Sequence, residues 1–448
     1  IHHIATGCGR SHPVYGDLLI PLMGIGQGIG LGPTLWALIS TILLDMMDNA
    51  GHGVNLHSPI TNTTLHLIGF SFVDDADLVA ALGPNASGEA PVEEFQAALD
   101  RWAGGLVTTG GELAPEKSFC YLLDYHWAND KWNYRLIADM PGDFTMNDKH
   151  GQPHPLRRLD TDAAEKTLGV YIAMDGNQRR QAEHLTEIST TFGHRIKATP
   201  CQKIHALYTF SASHMKSIEY SLPVTCLSKN EWDAILRPAI GPSLQKAGIS
   251  KNAPRIPLHA PPLCGGFGWK HPYHLQGLAH VATYLKESVT RSQTGDLLRQ
   301  THEALLLEAG TPVEFGVTDF KRYSSYLTNS WLLHTWKYAD DHGIRLMLDS
   351  PPIPTLRTGD SYLMDVFTAA GICGQRLAIL NQIRLRLHAI TVADIATPDG
   401  RSITPSALSC EHSNGLREGF QWPRPITMTV RYQQMWQRAP QETLMIPG

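Results

Sequence analysis

The sequence predicts an α+β fold, with short antiparallel strands gathered in the first 175 residues and helices filling the rest. Three patterns carry that expectation: apolar runs of strand length broken by acidic or glycine turns, an apolar stripe at helical spacing from Val92 to Leu106, and amphipathic stretches from residue 180 onward. Residues 1–20 read as an extended lead-in, because His12-Pro13 breaks any helix. Next comes a glycine-rich loop, Gly24-Ile25-Gly26-Gln27-Gly28-Ile29-Gly30-Leu31-Gly32-Pro33, whose proline sits where a helix over the apolar residues 35–47 would begin. The apolar run 65–73 drives into Asp74-Asp75-Ala76-Asp77, and a second apolar run, 78–82, leaves it. That reads as strand, tight acidic turn, strand. Composition makes 83–88 a loop, and Val92, Phe95, Leu99, Trp102 and Leu106 line one face of a helix that Gly110-Gly111 stops. Residues 118–123 read as a strand, 140–160 as an inserted loop or hairpin, and 168–172 as a further strand.

Helices are expected at 180–196, 202–217 and 229–247. A proline-rich joint follows at 253–262, then the turn Gly265-Gly266-Phe267-Gly268-Trp269 and a helix at 275–288. Helical periodicity resumes at 296–309, 321–342 and 361–390, and a Trp422-Pro423-Arg424-Pro425 loop and Trp436 lie near the end. The expected domains are therefore 1–175, 176–262 and 263–448. Arg384 and Arg386, set among leucines, read either as phosphate contacts or as the wet face of a buried helix.

With 448 residues, 42% hydrophobic and 18% charged, the chain is long enough for two or three globular domains. No stretch reaches the ~20 uninterrupted apolar residues of a membrane span, so no membrane partner is expected. Seven scattered cysteines, none in a C-x-x-C pair, argue for reduced thiols in an intracellular compartment, nucleus or cytoplasm, and against a zinc module. Net charge is −5, but unevenly spread. Residues 1–100 hold one basic residue, Arg10, against ten acidic ones, whereas residues 176–270 hold twelve basic against five acidic. A basic block suits phosphate neutralisation, and it equally suits a solvated helical face.

An aspartate pair at a hairpin tip reads alone as a solvated turn or as a site for a divalent cation, which wants oxygen ligands. The ordered set of neighbours adds to it: the glycine-glutamine loop, the Phe72-Val73-Asp74-Asp75 hairpin, the segment from Gly110-Gly111 to Lys117, and Leu168-Gly169-Val170. This set resembles the palm of reverse transcriptases of the non-LTR retrotransposon type over roughly the first 175 residues. Gly32 stands where that family usually has serine. Only 23 residues precede Gly24, and Asp17 among them lies too close to the loop to be the family's first catalytic aspartate. The expectation is a truncated polymerase, inactive as this chain alone: a partial palm without fingers or the first aspartate, which an upstream polypeptide could supply, then a thumb-like helical domain and a helical C-terminal region.

What the resemblance implies is template-directed transfer of a nucleotide from a dNTP to a DNA primer 3′-hydroxyl on an RNA template, using two Mg2+ (or Mn2+) ions. Asp74 and Asp75 would be catalytic metal ligands, and Lys117 would protonate the leaving pyrophosphate. Gln27, Gly28 and Pro33 would lie beside the templating pair, and Leu168 and Gly169 would grip the primer. Arg179, Arg180, Lys197 and Lys203 are the candidate nucleic-acid contacts of the basic block. A dinucleotide fingerprint is excluded on spacing, since the third required glycine would fall on Ile29, Leu31 or Pro33. Two other readings stay open: a catalytically dead, maturase-like RNA-binding scaffold, and a metal-dependent hydrolase, which lacks a histidine at ligand spacing from the acidic turn.

Overall fold

The structure is a computed structural model that describes residues 5–6, 9–10, 32–72, 75–81, 90–111, 113–140, 142–147, 151–346, 353–411 and 417–444. It is mixed α and β, as the apolar patterning requires, and it divides into two compact units. One takes Ile1–Leu56, His66–Asp124 and Tyr134–Thr161, the other His57–Leu65, Tyr125–Asn133 and Asp162–Gly448.

The first unit is built on two helices, α1 (Gly32–Asn49) and α2 (Ala90–Thr108). Pro33 falls in the first turn of α1, where a missing N–H costs nothing. Leu43 and Met47 of α1 meet Ala98, Trp102 and Leu106 of α2 in a dry core, which Ile68, Leu78 and Leu113 border. The helices approach closely because Gly105 has no side chain: a Cβ there would lie 2.6 Å from Met46 Cε. Among the described residues the strands pair two by two and form no continuous sheet. Phe119–Tyr121 pairs in parallel with Arg157–Leu159, a departure from the antiparallel expectation. The single strand expected at 65–73 is instead two, Thr64–Leu67 and Gly69–Phe72, and the strand that leaves the turn starts at Asp75 rather than Leu78.

The second unit holds the remaining helices: α3 (Arg179–Ala198), α4 (Lys203–Thr209), α5 (Met215–Glu219), α6 (Lys229–Lys246), α7 (Ile256–His259), α8 (Pro272–Val289), α9 (Gln293–Ala309), α10 (Phe320–Tyr323), α11 (Trp331–Asp341), α12 (Leu363–Ala369), α13 (Gly374–Arg386), α14 (Pro405–Ser409) and α15 (Val430–Leu444). One core centres on Leu185, Phe210, Trp232, Leu236 and Trp269, and a second on Leu306, Trp336, Phe367, Leu380 and Trp436. Gln276 of α8 ties the first core together: its Oε1 accepts from Trp232 Nε1 at 2.9 Å and Thr225 Oγ1 at 3.0 Å, and its amide donates to Leu227 O at 2.9 Å. Ser228 and Glu231 start α6 with a reciprocal capping box.

Helices expected at 321–342 and 361–390 are each broken. Ser330 caps the start of α11, and Gly371 and Gly374 separate α12 from α13, both with left-handed φ. The Trp422-Pro423-Arg424-Pro425 loop docks on the hairpin of Tyr125–Ala128 and Lys131–Tyr134, where the Arg424 guanidinium lies 5.2 Å from the Trp127 ring and 5.5 Å from Trp132. No helix among the described residues is long and apolar enough to cross a membrane.

Candidate nucleic-acid and cation site

Gly69–Phe72 and Asp75–Leu78 pair antiparallel with Phe72 opposite Asp75 and Phe70 opposite Asp77. Residues directly opposite share a face, so Phe70, Phe72, Asp75 and Asp77 stand together on one side of the hairpin, all of them exposed. Ile68 and Leu78 seat its base on the α1–α2 core. The strands close so tightly at Gly69 that a Cβ would lie 2.2 Å from Asp77 O. Desolvation first, and the Asp75 charge second, hold the Asp77 carboxyl above its ordinary value. Two like-charged oxygen donors on one exposed face suit a hard cation, whose charge would relieve that repulsion. The metal-holding pair expected from the sequence is Asp74 and Asp75, with Asp77 on the Asp75 face by strand alternation but not among the ligands. Asp74, Gln27 and Gly28 lie outside the described residues, and no cluster of three His, Cys, Asp or Glu groups around a common point occurs among those described.

Lys117 closes a turn through its N–H to Ala114 O at 3.0 Å, and its side chain is exposed. Pro33 is exposed at the start of α1.

In the second unit, Leu168 and Gly169 are the two central residues of the turn joining Glu165–Thr167 to Val170–Ile172. Their φ angles are +48° and +85°, the pattern of a two-residue hairpin turn that favours Asn-Gly. A leucine there is strained, and its side chain is 39% exposed.

The four basic candidates separate into two groups. Arg179 and Arg180 begin α3 and are already matched: Arg179 pairs with Asp162 at 3.4 Å, and Arg180 with Glu187 at 2.9 Å and Glu183 at 3.4 Å while covering the Tyr171 ring at 4.7 Å. Lys197 lies at the other end of α3, about 26 Å away at 1.5 Å per residue. There Lys246 Nζ donates to Lys197 O at 3.3 Å, and Lys203 lies against Gly248. Arg195, Lys197, Lys203 and Lys246 thus gather at one end of the α3–α4–α6 group, and among the described residues none of them has a carboxylate partner. Arg195 precedes Lys197 by two positions on α3, whereas Lys246, another member of the basic block, comes beside Lys197 only through the packing of α3 on α6.

Arg384 and Arg386 are neither phosphate contacts nor a wet face. The Arg384 side chain is fully buried and donates to Leu307 O, Glu308 O, Ala389 O and Asn381 Oδ1, while Arg386 donates to Cys410 O and Ile426 O. Compared with models of known families and with curated proteins, the chain matches none.

Proposed function

We propose that this chain is a nucleic-acid polymerase module of the non-LTR reverse-transcriptase type, acting on an RNA template, a DNA primer and a dNTP. The carrying observation is the anchored hairpin that holds Asp75 and Asp77 on one exposed face immediately after Asp74. Asp74 and Asp75 would hold Mg2+ or Mn2+, with Asp77 within the same field. Bound there, the metal would lower the pKa of a primer 3′-hydroxyl and neutralise the departing pyrophosphate. Lys117 would supply an exposed ammonium suited to donating a proton to that pyrophosphate. By the resemblance, Gln27, Gly28 and Pro33 would contact the templating pair. The strained Leu168-Gly169 turn presents an apolar tip to the primer, and Lys197 and Lys203, joined by Arg195 and Lys246, hold phosphates of the hybrid.

The test reads the cation site without requiring turnover. Fe2+ substituted for Mg2+ reduces added hydrogen peroxide to hydroxide and hydroxyl radical, with ascorbate returning Fe3+ to Fe2+, and the radicals should cut the chain beside residues 74–77, with Mg2+ competing and Asp75→Asn removing the cut. Fluorescence anisotropy should show tighter binding of an RNA–DNA hybrid than of duplex DNA. Absence of cutting at the hairpin together with preserved hybrid binding would select the catalytically dead scaffold. Loss of both would sink the proposal.

A further inference from the structure

The turn at Gly265-Gly266 has no part in the proposed polymerase chemistry. It belongs to a loop, residues 257–269, that is laced by its own backbone: Phe267 N donates to Pro257 O at 2.9 Å, Gly268 N to Ala260 O at 2.9 Å, Trp269 N to Leu258 O at 2.8 Å, and Cys264 N to Pro261 O at 2.8 Å. Gly266 passes so close to the opposing strand of the loop that a Cβ would meet Ala260 O at 2.1 Å. Trp269 bolts the loop to the core by stacking on Phe210 with ring centres 4.0 Å apart, and the His259 ring bonds Trp269 O at 2.8 Å. This fixed frame displays apolar groups outward, Leu263 at 101% exposed and Phe267 at 39%, and Ile256 just before it is 81% exposed. A rigid loop holding a leucine entirely in water has its ordering cost already met for an apolar contact with a partner.

The charge around the loop identifies the partner. Residues 234–286 contain no Asp or Glu, yet hold Arg237, Lys246, Lys251, Arg255, Lys270 and Lys286. Lys251, Arg255 and Lys270 flank the loop and are exposed. Asp233, the carboxylate that the structure ties to the loop's surroundings, is already answered by His271 at 3.1 Å and Lys229 at 3.4 Å, with the His271 ring 5.1 Å from that of His259. An apolar tip among exposed cations matches a ligand that is anionic outside and apolar within, which describes a base stack between phosphate backbones.

We propose that the 257–269 loop is a wedge, tipped by Leu263, that inserts beside the terminal base pair of a nucleic-acid duplex where it opens into single strand. This rests on the nucleic-acid reading of the helical unit and adds a site and a mode of contact to it. The probe is an RNA–DNA hybrid with a single-stranded RNA overhang and 2-aminopurine at the junction base. Binding of the wild-type chain should raise 2-aminopurine fluorescence as the base unstacks. Leu263→Ala, at a fully exposed position that leaves folding untouched, should lose that rise while anisotropy keeps Kd within about threefold. Lys251→Gln with Arg255→Gln should weaken binding and flatten its salt dependence.

Binding without any fluorescence rise, or a rise that survives Leu263→Ala, overturns the wedge and leaves the nucleic-acid reading intact. Failure to bind the hybrid overturns both. Phosphatidylserine-containing vesicles supply the competing arm: pelleting with them that depends on Leu263, beside a silent hybrid, makes the loop a membrane contact and overturns the proposal.

Discussion

Arg384 puts a full positive charge inside a core, and the physical chemistry of that choice dictates what its loss does. Burial alone pulls its pKa down to about 10, and the charge is held by carbonyls at the end of α9 that otherwise have no helical partner. Removing the guanidinium strands those carbonyls, so Arg384→Met should lower unfolding free energy by about 3 kcal/mol, read from urea titration. A variant as stable as the parent would show that the carbonyls find other donors. Three buried histidines set a pH dependence of their own. Burial holds the His214, His280 and His302 rings at about 4, below the ordinary 6.5. The unfolded chain therefore binds protons that the folded chain refuses between about pH 6.5 and pH 4. Stability should be complete above that window and fall as pH drops through it, by on the order of 3 kcal/mol per ring at the acid end. Urea midpoints measured from pH 7 to pH 4.5 should slide downward together, and His302→Phe should make the slide shallower. A flat profile would mean that the rings accept protons in place.

At the scale of elements, the Leu168-Gly169 turn trades stability for an exposed apolar tip. Leu168→Asn suits the left-handed backbone and should raise stability by about 1 kcal/mol while weakening hybrid binding, a pair of outcomes that relief of strain alone would not produce. Unchanged binding would make the turn merely structural. Much at this scale was legible in the sequence. Gly32–Asn49, Ala90–Thr108, Arg179–Ala198 and Lys229–Lys246 fall within a few residues of their periodicity, since each buries one continuous stripe. The missed breaks have local causes with weak sequence signals. Apolar spacing runs on across Ser330 and across Gly371, so a single cap or glycine decides where the helix ends. The division of residues 65–73 into two strands turns on the backbone contact at Gly69, which periodicity does not record. Within the candidate site, sequence order was enough to suggest an acidic hairpin. Strand alternation already sets Asp77 on the face of Asp75, and the pairing register agrees, but nothing in the sequence shows that Asp162, seventeen positions before Arg179, answers it.

Over the whole molecule, an acidic chain can still hold a polyanion if its cations are concentrated and unpaired, and pairing rather than composition decides which of them count. Arg179 and Arg180 already face carboxylates, so a phosphate arriving there displaces a protein partner rather than a condensed counterion. Lys197 and Lys203, beside Arg195 and Lys246, meet no carboxylate among the described residues, and a phosphate gains their whole field. The two pairs should therefore behave differently in a salt titration of RNA–DNA hybrid binding. Lys197→Gln with Lys203→Gln should remove about two units from the slope of log K against log salt concentration. Arg179→Gln with Arg180→Gln should leave that slope nearly unchanged, because the charge it removes is already answered within the chain. Neutral replacements are the proper comparison, since a reversed charge beside Asp162 or Glu187 would add a repulsion unrelated to the ligand. If the arginine pair carries the salt dependence instead, the phosphates lie along the start of α3 and their arrival must open its ion pairs.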